Sequence, residues 1–306
     1  MNNRIFVTGA AGHIGANFVL EWQKRYPDDE IFALDNFSTG TLMNLKNFKG
    51  QLLSCDVRDH DWFSVFKAIK PKYVFHFAAN ANTMDIDSLS HSSNNVEGLR
   101  NILTAAAECN SKVIWTSSAA IYGQRDDLLK ETDSLNPDSP YAVSKVLAEN
   151  LVQKCIENAP DFCIITIRPL NIYGDFLEHK GKMACYIYQM IQQVKDRNKI
   201  YLFPDGSQCR DFCHISDLVD LMINAALKLN KSEILNGGSG VATSFNQIVE
   251  LLRQKMKFKG KVEWTYCAPG HYQQFTCADM SKAKELLGWT PKISIEEGID
   301  LMLKNM

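Results

Sequence analysis

The chain has 306 residues, of which 45% are hydrophobic and 22% charged, with a formal net charge of -2 at pH 7. This is the composition of an ordinary globular protein that is long enough for one large core or two fused lobes. Acidic and basic residues are scattered along the chain, which excludes the basic block of a nucleic-acid-binding protein, and no apolar run reaches transmembrane length. We therefore expect neither a nucleic acid nor a membrane as partner.

The nine cysteines are odd in number and dispersed, and the chain begins directly with a strand pattern. Reduced thiols and a cytoplasmic protein are the simplest interpretation. Cys209 and Cys213 are too far apart for a Cys-x-x-Cys redox pair, and the sequence around them supplies no further metal ligands. We therefore expect no metal site.

Short β-branched and aromatic runs alternate with amphipathic stretches in the first part of the chain. The predicted strands are 4–8, 31–35, 52–56, 73–78, 113–117 and 163–168. The predicted helices are 14–26, 62–69, 96–109 and 141–158. Repeated strand–helix units specify parallel strands with right-handed crossovers, and strands that are apolar almost throughout indicate helices on both faces of the sheet.

This alternation ends near residue 170. Later helices are predicted at 180–194, 214–229, 244–257 and 281–287, with a strand at 200–203 and a last short helix after Pro291. Residues 234–236 are candidates to return to the main sheet. The predicted fold is α/β, a doubly wound parallel sheet of the Rossmann type with a smaller α+β substrate-binding lobe, divided as 1–170 and 171–306.

Three glycines lie at the turn between the first strand and the first helix. Gly9 permits the tight turn, Gly12 lets backbone N–H groups approach a pyrophosphate, and Gly15 lets helix and strand pack closely. The spacing is G-x-x-G-x-x-G, and a glycine-rich turn alone is also compatible with an ordinary loop. The strand before it and the amphipathic helix after it favour a dinucleotide site.

Two acidic residues follow the next two strands. Asp35 lies about twenty residues beyond the last glycine, where a carboxylate accepts hydrogen bonds from the adenosine ribose and repels a 2′-phosphate. This predicts NAD rather than NADP, although a strand-ending turn with Asn36 is the alternative. Asp56 and Val57 end the third strand and are candidates to contact the adenine edge, with a simple turn as the alternative.

Tyr141 and Lys145 are four residues apart and therefore neighbours on one face of a helix that Pro140 suits as a first turn. An ammonium beside the phenol, together with a positive nicotinamide ring, would lower the tyrosine pKa toward the working pH. A surface helix pair is the alternative. Ser117 and Ser118 end the preceding strand, where a hydroxyl can hydrogen-bond a reacting sugar oxygen.

Together these motifs resemble the extended short-chain dehydrogenase/reductases of the nucleotide-sugar epimerase/dehydratase group. The resemblance covers nearly the whole chain, in matching order and spacing. The further matching segments are 76–79, 95–101, 117–123, 168–174, 210–212 and 287–291.

The resemblance implies NAD as cofactor, a nucleoside-diphosphate sugar as substrate, and Ser118 as the hydroxyl that acts with Tyr141 and Lys145. It also implies that Asn171 and Arg210 hold the diphosphate. The arginine fork matches phosphate oxygens, while a salt bridge to Asp211 or Asp217 is the alternative. Further cofactor-binding residues implied by it are His13, Ile14, Asn36, Ser38, Thr39, Ala78 and Ala79. Further substrate-binding residues are Asn82, Met183 and Tyr272.

The branch of the family depends on a few positions. Dehydratases carry an acid pair just after the catalytic hydroxyl residue, whereas this chain has Ala119 and Ala120, which cannot transfer protons. Segments 177–184 and 270–279 resemble the ADP-heptose 6-epimerases, in which the lysine matching Lys180 is a second acid/base. Inversion of a carbon needs such a second proton donor, although an exposed loop cation or a phosphate contact is the alternative.

The expected function is NAD-dependent oxidation of a nucleoside-diphosphate sugar, an NDP-manno-heptose, to a keto intermediate by an epimerase. One departure leaves the nucleotide base open, because segment 37–43 lacks the lysine that many heptose epimerases carry and looks more like NAD-retaining sugar epimerases. The alternatives are an NDP-heptose or NDP-hexose 4-dehydrogenase that releases the ketosugar, and a non-catalytic dinucleotide-sensing or scaffold protein. The resemblance further implies a homodimer formed through the helices that begin at Val96 and Tyr141. Their apolar segments 96–106 and 146–156 permit such an interface but equally suit the core.

Overall fold

The computed structural model describes residues 2–59, 61–265 and 273–306. In the first half of the chain, strands and helices alternate as the sequence predicted. The strands are β1 (Arg4–Thr8), β2 (Glu30–Asp35), β3 (Gln51–Ser54), β4 (Tyr73–His76), β5 (Lys112–Thr116) and β6 (Ile164–Pro169). The helices are α1 (His13–Arg25), α2 (Trp62–Ile69), α3 (Ser88–Ser92), α4 (Gly98–Glu108) and α5 (Pro140–Asn158).

The second half contains more strands than the sequence predicted. The strands are β7 (Asn171–Tyr173), β8 (Lys199–Leu202), β9 (Cys209–His214), β10 (Glu233–Gly237), β11 (Ala242–Ser244) and β12 (Lys261–Trp264). The helices are α6 (Tyr186–Arg197), α7 (Ile215–Lys228), α8 (Phe245–Lys255), α9 (Ser281–Leu287) and α10 (Ile295–Asn305).

The helix predicted at 180–194 is wrong in its first turns. A 3₁₀ segment covers Glu178–Met183 and is broken at Gly181, whose φ is 51°, in the left-handed region. The α-helix begins only at Tyr186. A glycine in this conformation ends a regular helix because the next residues cannot continue its hydrogen bonds.

The main sheet has seven strands in the order β10-β6-β5-β4-β1-β2-β3. All neighbouring pairs from β6 to β3 in this order are parallel. The predicted doubly wound α/β fold is therefore confirmed. The chain reverses its direction of winding between β1 and β4, and ligands of such sheets bind beside the carboxyl ends of the strands at this switch point.

Contacts divide the chain into two compact units, each with its own apolar core. The first unit comprises residues 1–121, 137–168 and 219–235, and the second comprises 122–136, 169–218 and 236–306. In the first unit, aromatic residues from the sheet and α2, among them Phe6, Phe66 and Trp115, are almost completely buried. In the second unit, α6, α8 and α10 contribute residues such as Ile191, Ile248 and Ile299 to a separate core.

Two local features fix the amino ends of α5 and α4. The Ser139 side chain accepts a hydrogen bond from Ala142 N, which caps the amino end of α5 with Pro140 in its first turn. A π-helical turn at Ser93–Glu97 joins α3 to α4 and leads into α4 without a break. Among the described helices, none combines the length and apolar character needed to span a bilayer.

Candidate active site

The glycine turn after β1 has the geometry of a phosphate-binding loop. Gly9 has φ +66°, and a Cβ there would lie 2.6 Å from Ala78 N. A Cβ on Gly15 would lie 2.1 Å from the carbonyl oxygen of Gly9. Gly12 is the N-cap residue of α1 and offers no side chain to cap it, so the first N–H groups of the helix stay available to an anion.

Asp35, at the end of β2, ties this turn to the loop that follows. Its Oδ2 accepts a hydrogen bond from Ala11 N at 2.8 Å, and its Oδ1 accepts one from Phe37 N at 2.8 Å. The side chain is 6% exposed, so the carboxylate is fixed beside the glycine turn. Ser38 and Thr39 are exposed in the loop beyond it. A glycine cradle next to an anchored carboxylate fits the pyrophosphate and adenosine ribose of NAD.

The Asp56 carboxylate is held by other groups. Arg58 donates to both of its oxygens, at 2.8 and 2.7 Å, and Asn36 Nδ2 donates to Oδ2 at 2.8 Å. The hydrogen bond from Arg58 holds the pKa of Asp56 well below its ordinary value. The carbonyl oxygen of Val57 accepts bonds from Trp62 and Asn101. A contact of Asp56 or Val57 with adenine therefore stays a prediction.

The segment after β4 lies against the glycine turn. Ala78 N donates to Thr8 Oγ1 at 3.2 Å, and the same hydroxyl is 2.9 Å from His76 Nδ1. Ala78 and Ala79 are partly buried there. The structure thus brings these alanines together with Gly9, while His13 and Ile14 open α1.

The tyrosine of α5 is buried beside the hydroxyl that the sequence singled out. Tyr141 is 8% exposed, and its phenol shares a hydrogen bond with the Ser118 side chain. The Lys145 ammonium lies 5.9 Å from the centre of the tyrosine ring. Ser118 Oγ also accepts a bond from Ala120 N at 3.1 Å, which leaves its proton to donate.

The sequence predicted that an ammonium together with a positive nicotinamide ring would lower the tyrosine pKa, and the protein's own groups alone do not lower it. Burial raises the pKa of Tyr141, and the hydrogen bond with Ser118 only opposes that increase. The reason is that removing a phenolate from water costs more than one hydrogen bond and an ammonium at this distance return. An oxidised nicotinamide, when bound, would supply further positive charge to stabilise a phenolate.

Lys145 is itself only 3% exposed. Its Nζ donates to the carbonyl oxygen of Thr116 at 2.9 Å. Burial lowers the pKa of Lys145 to about 8, and the Glu149 carboxylate opposes this decrease. The lysine therefore changes charge within the range in which enzymes work.

One residue of this site was missed as a functional group by sequence reasoning. Asn95 lies in the π-helical turn and is 2% exposed. Its side chain binds both backbone groups of Asn80: Oδ1 accepts a hydrogen bond from the N–H at 2.8 Å, and Nδ2 donates one to the carbonyl oxygen at 3.0 Å. Nδ2 also donates to Ser144 Oγ at 2.9 Å, and that hydroxyl donates to the Tyr141 carbonyl at 2.7 Å. The network joins the segment after β4 to the first turn of α5. The sequence feature that could have identified Asn95 is that an asparagine occupies a position where the helical pattern expects a core residue.

In the second unit, Arg210 lies in a cavity of about 150 Å³ that Tyr186 and Phe245 also line. The guanidinium carbon is 5.7 Å from the centre of the Phe245 ring, and the side chain is 6% exposed. Across the described ranges Arg210 makes no salt bridge. The cavity therefore presents a buried positive charge that suits a diphosphate.

The two carboxylates that were alternative partners of Arg210 bind backbone groups. Asp211 accepts bonds from the N–H groups of Ser239, Gly240 and Ala278. Asp217 accepts bonds from the N–H groups of residues 292 and 293. Asn171 Nδ2 donates to the carbonyl oxygen of Asp211 at 3.3 Å. The parallel pairing of β7 with β9 places Asn171 opposite Phe212.

Lys180 lies in the 3₁₀ segment, where it is partly buried. Burial lowers the pKa of Lys180, and its electrostatic neighbour is Cys185, whose pKa burial raises to about 11. Met183 ends the same segment and is partly buried. Asn82 belongs to the first unit and is exposed, with its Oδ1 accepting a bond from Met84 N. Tyr272 lies outside the described residues.

A family model for the "NAD dependent epimerase/dehydratase family" matches residues 5–238. The chain belongs to this family.

The names of its relatives refer to more than one nucleotide sugar. A protein of Methanocaldococcus jannaschii, provisionally named a UDP-glucose 4-epimerase, is 31% identical over 301 residues, covering 96% of this chain and 95% of the relative. The ADP-L-glycero-D-manno-heptose-6-epimerase of Helicobacter pylori has a crystal structure with TM-score 0.91 and 28% identity, covering 99% of this chain and 96% of that one. The UDP-glucose 4-epimerase of Thermotoga maritima, solved with UDP-glucose, has TM-score 0.91 and 27% identity, covering 98% and 97%.

Membership of this NAD-dependent family agrees with the groups of the first unit. The glycine cradle, the anchored Asp35 and the buried Tyr141–Lys145 pair are the features by which we predicted NAD, and NAD is the family's cofactor. The protein is accordingly an enzyme of the NAD-dependent epimerase/dehydratase type.

Proposed function

We propose that this enzyme uses NAD to oxidise a nucleoside-diphosphate sugar, an NDP-manno-heptose, to a keto intermediate, and that it then reduces this intermediate to the epimer. The observation that carries the proposal is the buried Tyr141 phenol, hydrogen-bonded to Ser118, with the Lys145 ammonium 5.9 Å from its ring. This is the constellation needed to remove a proton from an alcohol while its carbon loses hydride.

Each residue has a separate part in the first half-reaction. The Tyr141 phenolate removes the proton from a sugar hydroxyl, Lys145 stabilises that phenolate, and Ser118 donates a hydrogen bond to the sugar oxygen. NAD, when bound, would supply the hydride acceptor for the oxidation and, in its reduced form, the hydride donor for the reduction. Because Ala119 and Ala120 carry no acid, nothing at these positions protonates a neighbouring hydroxyl and expels it as water. The keto intermediate is therefore kept for reduction.

We propose that Lys180 is the second acid/base and delivers the proton in the reduction step. Its support is that Lys180 is partly buried in the 3₁₀ segment and that burial lowers its pKa, which makes its proton easier to release than that of an exposed lysine. A freely exposed loop lysine would stay charged and would serve as a phosphate contact instead.

We propose that the first unit binds the dinucleotide and that the second binds the nucleoside diphosphate. Arg210, buried and without a described salt bridge, supports a diphosphate contact, which Asn171 would complete. The proposed cofactor-binding residues are Gly9, Gly12, His13, Ile14, Gly15, Asp35, Asn36, Ser38, Thr39, Asp56, Val57, Ala78, Ala79, Tyr141 and Lys145. The remaining proposed substrate-binding residues are Asn82, Met183 and Tyr272.

A second candidate is a hexose in place of the heptose, as a 4-epimerase or as a 4-dehydrogenase that releases the ketosugar. The observation in its favour is that relatives of equal similarity bear the name UDP-glucose 4-epimerase. Both candidates share the first half-reaction, so the residues of the first unit are the same in each.

The test is to incubate the enzyme with ADP-heptose, GDP-heptose, UDP-glucose and GDP-mannose in deuterated water. The sugar is followed by NMR and the cofactor by the absorbance of its reduced form. We expect inversion at one carbon of a heptose without net accumulation of reduced cofactor. Turnover of UDP-glucose alone would show that the substrate is a hexose and not a heptose. Net accumulation of reduced cofactor would indicate a dehydrogenase. Failure of all four sugars with intact NAD binding would contradict the proposal.

We also propose that the enzyme is a cytoplasmic homodimer. Leu89 of α3 and Val143 and Leu147 of α5 are 82%, 43% and 46% exposed. They line one groove of about 520 Å³, a concentration of exposed apolar surface that suits a second copy. Light scattering is expected to give twice the mass of one chain for the wild type and the mass of one chain for the Leu147→Asp variant. A monomeric native protein would contradict this.

A further inference from the structure

An ion pair that the proposed reaction leaves unused lies behind the catalytic lysine. Glu149 follows Lys145 by one turn of α5, and Arg168 lies on β6. Arg168 Nε donates to Glu149 Oε1 at 3.0 Å, and Nη2 donates to Oε2 at 2.7 Å. The side chains are 3% and 8% exposed for the arginine and the glutamate. Stability alone does not explain such a pair, because desolvation of two charges offsets most of their attraction.

The charged and titratable groups that face Lys145 are few. On β4, His76 is neutral at working pH, since burial lowers its pKa to about 3. On β5, the lysine meets the Thr116 carbonyl and the Trp115 ring, whose centre is 5.6 Å from Nζ. None of these groups carries a negative charge.

The remaining ionisable neighbours belong to α5 and β6. Tyr141 is a neutral phenol until it acts as a base, and Arg168 carries the same charge as the lysine. His91 of α3 contacts the tyrosine ring, at 5.9 Å between ring centres, rather than the lysine. Within the described chain, Glu149 is therefore the anion that acts on Lys145, and it is the carboxylate that raises the lysine pKa against burial.

We propose that Glu149, oriented by Arg168, is a positioning residue that keeps Lys145 protonated and so keeps Tyr141 competent as the base. This inference rests on the proposed function, because it needs Tyr141 to be the group that takes the substrate proton. Without Glu149, the ammonium would lie near the positive charge of Arg168 with no carboxylate to offset that charge, and it would lose its proton at lower pH. Without Arg168, the full charge of the carboxylate would act on the lysine, and the lysine would keep its proton to higher pH.

The opposite signs of these two effects give a direct test on the protein without cofactor. Lysine side chains are labelled with ¹³C at Cε, and the Lys145 signal is assigned by its loss in Lys145→Met. The wild-type midpoint is expected near the pKa of about 8. Glu149→Gln is expected to lower it by about one to two pH units, the effect of one charge a helical turn away in a protein interior.

Arg168→Met is expected to raise the midpoint, and Glu157→Gln, at an exposed position of the same helix, is expected to leave it unchanged. Identical midpoints in wild type, Glu149→Gln and Arg168→Met would overturn the proposal. If a single variant does not fold, the double variant Glu149→Leu/Arg168→Met removes the pair as a unit, which buried pairs tolerate better. Its midpoint is expected to fall, by less than one unit, and an unchanged midpoint there would also overturn the proposal.

The second readout is the pH profile of sugar epimerisation, followed by NMR with ADP-heptose and with UDP-glucose. In Glu149→Gln, the alkaline limb of kcat is expected to move to lower pH by the interval seen in the titration, with KM for the sugar unchanged. A merely structural role would lower kcat equally at every pH. Tyr141→Phe is assayed in parallel: full activity there refutes the proposed function, whereas an inactive Tyr141→Phe with an unshifted Glu149→Gln profile refutes only this inference.

Discussion

Replacing Gly15 by alanine should damage both the fold and NAD binding, for a reason that the backbone makes explicit. The new Cβ would lie 2.1 Å from the carbonyl oxygen of Gly9 and 2.7 Å from Ala10 Cα, both backbone atoms that cannot rotate away. The turn must move by about 1 Å, at the roughly 1–3 kcal/mol typical of overpacking, against a gain of about 1 kcal/mol for alanine over glycine in a helix. We expect a net destabilisation of up to about 2 kcal/mol.

The same displacement moves the N–H groups that would bind the pyrophosphate. Loss of one hydrogen bond to a charged group is worth about 1.5–3 kcal/mol, which corresponds to roughly 10- to 150-fold weaker NAD binding. Gly12→Ala is the matched control for the fold, because its Cβ would meet only the Gly9 oxygen, at 3.3 Å. Its free energy of unfolding should change by less than about 1 kcal/mol, while its methyl group still obstructs the pyrophosphate.

Calorimetric titration with NAD and urea unfolding without it give both quantities for each variant. We expect Gly15→Ala to lose affinity and stability together, and Gly12→Ala to lose affinity alone. If Gly15→Ala binds NAD as tightly as the wild type, or if Gly12→Ala does, the assignment of this turn to the dinucleotide is wrong.

Three further outcomes follow from the described contacts. Arg210→Lys should weaken the binding of ADP or UDP about tenfold in calorimetry, because a compact ammonium replaces a guanidinium that can bind phosphate oxygens in pairs and lies near the Phe245 ring. Equal affinity would argue against a diphosphate contact. Asn95→Ala should lower the free energy of unfolding, measured in urea, by about 2–4 kcal/mol, because the N–H and the carbonyl of Asn80 would lose their hydrogen-bond partner. A loss below about 1 kcal/mol would contradict the role of this network. Lys180→Ala should reduce epimerisation at least about 100-fold while the transient absorbance of reduced cofactor persists, and equal loss of both would indicate a binding role.

The main sheet could be predicted because its signals are local and repeated. The strands β1 to β6 are short apolar runs, and helices follow β1, β3, β4 and β5. The predicted limits of these six strands differ from those observed by at most two residues. The second half is less regular in sequence. The strand Cys209–His214 contains Arg210 and Asp211 side by side, and both are buried by pairing with β7 and β11 rather than by an apolar pattern. Such tertiary stabilisation leaves no periodic signal.

The same contrast holds for the site. Gly9, Asp35, Tyr141 and Lys145 were identifiable because spacing along a turn or helix brings them to a defined place. The clamp formed by Asn95 depends on a π-helical turn, which no short motif specifies. The pKa of Tyr141 could not be anticipated either, since it depends on how completely the phenol is buried.

The central claim is that the phenol of Tyr141 is the base that starts hydride transfer from an alcohol. Its most direct test is a single-turnover measurement of reduced cofactor with NAD-loaded Tyr141→Phe and a nucleotide sugar that the wild type oxidises. The account predicts unchanged NAD affinity with the rate of cofactor reduction lowered at least about 100-fold, the range typical of losing a positioned base. A rate close to that of the wild type would contradict it.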